Sequence, residues 1–226
     1  MKILMVLTSH ADLGDTGNKT GVWLEEFASP YYSFVDAGAD ITLASPKGGK
    51  PPVDPGSLQE QFLSDSTRRF DGDSAAQTLF DTTKTLDAVS AEGFDGIFYP
   101  GGHGPLWDLA NDEQSLALIS SFHAAGKPVG AVCHGTAALL KATDDSGKSL
   151  IAGMEITAFT DSEEEAVGAT AVVPLSVEQV AVKLGAKFRK ADNWSSFAIA
   201  DGLLITGQNP QSSEATAKLM LEKLQA

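Results

Sequence analysis

The sequence has one cysteine, Cys133, in 226 residues. No intrachain disulfide can form, so the fold rests on its core and a free thiol is left over. Positive charge is also scarce: 16 Lys and Arg stand against 30 Asp and Glu, a formal charge of −14. That is the wrong sign for a protein that neutralises phosphates, and nucleic acid is not expected as a partner. The same charge disfavours an anionic membrane surface, and long apolar runs are missing. The run near the amino end, residues 3–7, is too short for a signal-peptide core or a spanning helix. A soluble cytoplasmic protein with no membrane partner is expected. Neither a dinucleotide fingerprint nor a P-loop occurs. The four histidines, His10, His103, His123 and His134, form no closely spaced ligand pair beyond Cys133-His134, so neither a metal nor a cofactor is expected.

What is present is ordinary for a globular chain: 42% hydrophobic and 20% charged residues, with 22 Gly and 10 Pro. One α/β domain commonly has this size. Residues 2–8 are a continuous β-prone run of the kind buried on both faces. Helical spacing over 21–35 and a short strand at 41–44 follow, and the order resumes with a strand at 96–99, a helix at 112–125 and a strand at 128–132. Farther on come a helical segment at 136–141, a strand at 155–159, an acidic turn at 161–165 and a helix at 176–184. Strands near 187–189, 197–200 and 203–206 and a helix at 213–224 complete the pattern. The alternation implies a mostly parallel sheet with helices on both faces and sites at the carboxyl ends of the strands. Residues 45–94 are the exception: rich in Pro and Gly, polar over 65–73, and weakly helical at 75–80 and 85–89. So long a connection reads as a cap insertion, about 46–94, on a single domain spanning 1–226.

Three features fall at predicted strand ends. Val129-Gly130-Ala131-Val132 runs into Cys133-His134-Gly135, so the cysteine sits where a strand turns abruptly into a helix. Ala131 and Gly135 are the small flanking residues such a nucleophile elbow needs. A helix amino end there is expected to lower the thiol pKa; the alternative is a small buried hydrophobe. Pro100-Gly101-Gly102-His103-Gly104 ends the preceding strand, where exposed backbone N–H groups can join that of His134 as an oxyanion hole. On the first helix, Val22, Trp23, Leu24 and Phe27 define the buried arc, with Glu26 on its flank and Glu25 nearly opposite. A partly buried Glu26 has the raised pKa of a general acid or base, whereas a solvated helix glutamate is the alternative. A catalytic His134 needs a third group to orient it. Glu163, Glu164 and Glu165 are candidates, and a solvated acidic turn is an equal reading of that cluster.

The segments Ala131-Val132-Cys133-His134-Gly135, Pro100-Gly101-Gly102-His103-Gly104 and Thr20-Gly21-Val22-Trp23-Leu24-Glu25-Glu26 resemble those of the ThiJ/PfpI superfamily, and the likeness spans nearly the whole chain. Lys19-Thr20-Gly21, Asp54-Pro55-x-Ser57, Phe159-Thr160-Asp161 and Thr206-Gly207-Gln208-Asn209-Pro210 point to one branch. It holds the glutathione-independent glyoxalases (glyoxalase III, D-lactate dehydratase), also described as chaperones and protein deglycases. The resemblance implies a class I glutamine amidotransferase-like, flavodoxin-like three-layer sandwich and a homodimer. By position it makes Cys133 the nucleophile, His134 its histidine, Glu26 the carboxyl against the thiol and Glu164, five residues past Phe159, the partner of His134. Gly102, His103 and His134 are implied for the oxyanion and substrate. The implied substrate is a small reactive aldehyde, methylglyoxal or glyoxal; methylglyoxal would go to D-lactate through a Cys133 hemithioacetal without metal or glutathione. The rival readings are a cysteine peptidase, amidohydrolase or amidotransferase on the same elbow, a non-enzymatic holdase with an exposed apolar patch, and a redox sensor whose Cys133 oxidises to sulfinic acid.

Overall fold

The computed structural model describes residues 1–225. Its first strand, β1 (Lys2–Val6), is buried from Ile3 onward. Side chains alternate across a strand, and here both faces are covered: Ile3 and Met5 join one core cluster, Leu4 and Val6 the other. α1 (Leu24–Asp36) leads to β2 (Asp40–Ser45), and α2 (Asp65–Asp71) and α3 (Ser74–Asp81) precede β3 (Lys84–Thr85) and β4 (Gly96–Tyr99). α4 (Glu113–Ala124) then runs to β5 (Val129–Val132), followed by β6 (Glu155–Ile156), α5 (Asp161–Ala166) and α6 (Val177–Lys183). β7 (Lys187–Phe188), β8 (Ala198–Asp201), β9 (Leu204–Gly207) and α7 (Ser213–Gln225) follow.

Seven strands make one sheet in the order β3-β2-β1-β4-β5-β9-β8, parallel except for β8, which runs antiparallel to β9. Phe27 and Phe34 of α1, Phe80 of α3 and Met220 of α7 cover one face; Ile119 and Phe122 of α4 and Ala181 of α6 cover the other. This is the flavodoxin-like α/β architecture. β1 and β4 are neighbours although β2 and β3 lie between them in the chain, so the strand order reverses there. A crevice opens outside the carboxyl ends of these strands, and the segments that follow β1, β4 and β5 meet in it. Among the described residues no helix is long and apolar enough to cross a membrane.

Some local expectations fail for identifiable reasons. The polar stretch at 65–73 begins with α2, because Ser64 and Thr67 cap its amino end reciprocally: the Ser64 hydroxyl accepts from the Thr67 N–H, and Thr67 Oγ1 accepts from the Ser64 N–H. Residues 85–89 are not helical beyond one 3-10 turn, Leu86–Ala88; Lys84 and Thr85 instead join the sheet edge as β3. The strand expected at 155–159 stops at Ile156 and pairs with β7 in a separate two-stranded sheet. Thr157 then gives its N–H to the side-chain hydroxyl of Thr206 on β9 rather than to a backbone carbonyl, and the chain turns into α5. The acidic turn expected there is that helix, capped by Thr160 and Glu163.

Candidate active site

β5 delivers Cys133 to the crevice. The residue has φ 57, a left-handed conformation that a side chain bearing Cβ adopts only under constraint. The constraint is the close return of the chain: a Cβ at Gly135 would stand 2.3 Å from the Tyr99 carbonyl oxygen at the end of β4. The segment after the turn is a buried 3-10 helix, Cys133–Leu139, rather than the α-helix expected over 136–141. The expected lowering of the thiol pKa is reversed. Burial pushes it well above the ordinary thiol range, the adjoining Glu26 carboxyl adds to this, and the His134 N–H works the other way. A short 3-10 turn supplies little of the field that an α-helix amino end would, and desolvation wins.

Glu26, on the first turn of α1, is fully buried rather than on the flank of the helix. Its Oε2 accepts the Gly101 N–H at 2.9 Å. Glycine is required there, since a Cβ on Gly101 would lie 2.4 Å from that oxygen. Oε1 makes no hydrogen bond, although Cys133 is close enough to lower the carboxyl's pKa. Burial outweighs Cys133 and the Gly101 N–H and raises the pKa to about 8, so at neutral pH the group is a carboxylic acid. That acid adjoins Cys133. Gly102 follows at φ 90, and a Cβ on it would meet the Gly21 carbonyl oxygen at 2.2 Å. Its N–H also lies toward Glu26.

The His134 ring does reach the sulfur: Nδ1 is 3.4 Å from Sγ, and Nε2 is 2.6 Å from Glu164 Oε2. Of the three adjacent glutamates, Glu164 is the one that meets this ring. Glu165 is exposed, and Glu163 turns away, accepting from Asn209 Nδ2 at 2.8 Å and from the Trp194 N–H at 3.0 Å. His103 also reaches Glu164, with Nε2 2.8 Å from Oε1. Burial opposes ionisation of Glu164, but the hydrogen bonds from His103 and His134 outweigh it and hold the pKa at about 2. A carboxylate only accepts, so both imidazoles donate Nε2–H and His134 Nδ1 presents a lone pair to the thiol. Burial, then His103, lowers the His134 pKa to about 4, which keeps the ring neutral. The set is a thiol with a base on one side and an undissociated acid on the other, the layout of nucleophilic catalysis coupled to proton transfer.

His103, His134 and Glu164 also form a group whose donor atoms lie within 4.8 Å of one another. Spacing along the chain gave no warning of it, because the three come from separate segments. The donors are spent on each other: an ion would have to displace both Nε2–H protons from Glu164. The link between His103 and Glu164 was not foreseen; the only hint was a histidine within a glycine-rich strand end.

The thiol opens onto a cavity of about 340 Å³. Glu26, Gly102, His103, Cys133 and His134 form its polar part, and Trp23, Phe62, Phe159, Val167 and Trp194 its apolar wall. Phe62 is the contribution of residues 46–94; α2 and α3 of that segment pack against α1 and β2 instead. Trp23, expected on the buried arc of the first helix, lines the cavity instead, and Phe159 was marked only as part of a resembling segment; an aromatic in a loop carries no mark of the site it faces.

Residues 19–223 match the DJ-1/PfpI family. The glutathione-independent glyoxalase HSP31 of Saccharomyces cerevisiae is 35% identical over 99% of this chain and 98% of its own. Glyoxalase 3 of Candida albicans is 33% identical over 96% of each. Among solved structures, glyoxalase III from Candida albicans superposes with a TM-score of 0.92 at 31% identity, covering 99% of this chain and 97% of that one. The rapid encystment protein of 24 kDa from Francisella tularensis gives 0.94 at 38% identity, covering 99% and 98%. With matching fold and near-complete coverage in both directions, the chain belongs to the DJ-1/PfpI family.

Proposed function

We propose that this protein is a glutathione-independent glyoxalase that converts methylglyoxal to D-lactate on Cys133. The observation that carries the reading is the pairing of one buried thiol with a neutral Glu26 carboxyl and a neutral His134 whose Nε2–H is held by Glu164. The full-length relatives named as glyoxalases support it.

Sulfur attacks the aldehyde carbon as its proton passes to His134 Nδ1, and the thiol reaches the anionic state only in that step, since burial disfavours a resting thiolate. Glu26 delivers its proton to the new alkoxide, with the Gly102 and His134 N–H groups around it, and a hemithioacetal results. The Glu26 carboxylate then removes the proton on the former aldehyde carbon while protonated His134 gives the thiol's proton to the ketone oxygen, forming an enediol. Glu26 returns its proton to the neighbouring carbon and takes up the hydroxyl proton of the former aldehyde carbon as the thioester forms. One carbon is oxidised and its neighbour reduced by the same two electrons, so no external redox partner is consumed. Water, deprotonated by His134 once it is neutral again, adds to the thioester, and His134 returns that proton to the departing Cys133 sulfur as the hydroxyacid is released. Cys133 takes the part that glutathione would otherwise play. His103 fixes Glu164 from the other side, and residues 46–94 take part through Phe62.

The same proposal includes a homodimer in the cytoplasm, checked by sedimentation and cell fractionation. The deciding experiment is methylglyoxal consumption in the presence of a chelator, with chiral detection of lactate. D-lactate from the native protein and none from Cys133→Ala is expected. Equal turnover by the variant, or no lactate from the native protein, would overturn the reading.

A further inference from the structure

The cavity is larger and more apolar at its mouth than the smallest 2-oxoaldehydes need. Its 340 Å³ falls in the range, roughly 300–1,000 Å³, of sites that enclose drug-sized molecules. Six large hydrophobic side chains are exposed among the described residues, and three of them line this one cavity: Phe62 at 42%, Val167 at 50% and Trp194 at 41%. Scattered exposed hydrophobics need no explanation, but a cluster rimming a reactive thiol does. The rim continues inward through further aromatic rings. Phe62 packs edge-on to Trp23 at 5.2 Å, and Trp194 lies 5.9 Å from Phe159, whose ring is 4.5 Å from that of His134.

Trp194 is placed at some expense. Its φ of 65 is one of two positive values among the described non-glycine residues, the other being the elbow cysteine. A bulky residue keeps that conformation only where its surroundings enforce it. The enforcing contact is the Trp194 N–H to Glu163 Oε1 at 3.0 Å, and Glu163 is itself anchored by Asn209 at 2.8 Å and by Gln208 at 3.1 Å. A glycine would satisfy the backbone, yet the chain carries an indole there, aimed at the cavity.

Resting on the glyoxalase reading, we infer that the site takes 2-oxoaldehydes whose ketone carries an aryl or other extended apolar group, with Trp194 and Phe62 as specificity-determining residues. The two carbonyl carbons meet the polar floor of Cys133, Glu26 and Gly102, and the substituent runs out along the aromatic wall, where a methyl group would leave most of it unused. The reaction stays balanced: the arylglyoxal and one water give the 2-hydroxy-2-arylacetate and a proton, with the carbon–hydrogen shift internal to the substrate.

The test compares phenylglyoxal and methylglyoxal as substrates for the native protein, Trp194→Ala and Phe62→Ala, with circular dichroism to check folding. The native protein is expected to show a KM about tenfold lower for phenylglyoxal. Each variant is expected to reduce the ratio of kcat/KM for phenylglyoxal to that for methylglyoxal by about tenfold, the scale of a lost apolar contact in a pocket. Because the ratio is taken within one protein, the greater intrinsic reactivity of the aryl aldehyde cancels between variants. If a variant misfolds, Val167→Ser gives the same readout. Turnover of methylglyoxal with an unchanged ratio in the variants would overturn this inference and leave the glyoxalase reading standing; turnover of neither aldehyde by the native protein would overturn both.

Discussion

Two carboxyl groups stand on opposite sides of the Cys133 site, one from α1 and one from α5, and the fold gives them opposite proton states. Glu26 is sealed beneath the glycine turn among the Gly101 and Gly102 N–H groups, and burial raises its pKa to about 8. Glu164 is also buried, but two imidazoles donate to it and its pKa falls to about 2. The residue type is the same; what differs is burial, complete for Glu26 and less so for Glu164, and the kind of donor, backbone N–H groups and a thiol against two imidazoles. Pairs of titratable groups driven apart in this way divide the acid and base roles between them. In the proposed reaction Glu26 holds the proton that the substrate oxygen needs, and Glu164 is the anion that sets the tautomer of His134.

The largest effect is expected from breaking the acid side. Glu26→Gln keeps the size and the acceptor for the Gly101 N–H but removes the transferable proton. A fall in kcat of about 10³- to 10⁴-fold is expected in the lactate assay, near the upper end of what general acid–base catalysis supplies. A residual rate within tenfold of native would assign the proton transfers to His134 alone.

Breaking the other side should cost less, because Glu164 acts through His134 and does not touch the substrate. Glu164→Gln is expected to lower kcat/KM by about 10²-fold, the lower range for such support. Its pH dependence is the sharper test. In the native protein kcat/KM should rise as His134 loses its proton near pH 4 and fall as Glu26 ionises near pH 8. Glu164 raises the His134 pKa, although burial and His103 outweigh it. Removing that carboxylate should therefore move the acid limb to lower pH and leave the alkaline limb in place, as read from kcat/KM between pH 3 and 9.

How much of this was legible before the structure depends on how local each feature is. The elbow could be read because Val129–Val132, Cys133 and Gly135 are consecutive, and the glycine turn because Gly101 and Gly102 follow β4 directly. The fold class followed from the alternation of strands and helices, and β1 from a run that had to be covered on both faces. The sign of the thiol pKa was misread: a helix start is visible in sequence, but the depth of burial and the carboxyl across the crevice are not. α2 and α5 were overlooked although both carry reciprocal caps, Ser64 with Thr67 and Thr160 with Glu163. Short polar helices give no apolar stripe, so their caps were the only signal. The wall was beyond reach, since Trp23, Phe62, Phe159 and Trp194 come from four separate segments.

The smallest effect concerns stability, and here the two carboxyls should respond with opposite sign. For Glu26 the folded pKa of about 8 lies above the ordinary glutamate value of 4.5, so the folded state holds the proton that the unfolded chain releases. Its contribution is fully present below about pH 4.5 and is lost as pH rises through 8. Glu164, at about 2 in the folded state, contributes stability that is present above about pH 4.5 and lost as pH falls toward 2. Replacing the first by an amide removes a penalty, and replacing the second removes a support. At pH 8, Glu26→Gln should therefore melt higher than the native protein and Glu164→Gln lower, each by an amount on the order of 1.4 kcal/mol per unit of pKa difference at most. At pH 4.5 the gain in Glu26→Gln should vanish. Scanning calorimetry at these two pH values reads both signs, and a parallel response of the two variants would mean that the two carboxyls do not sit in opposed environments.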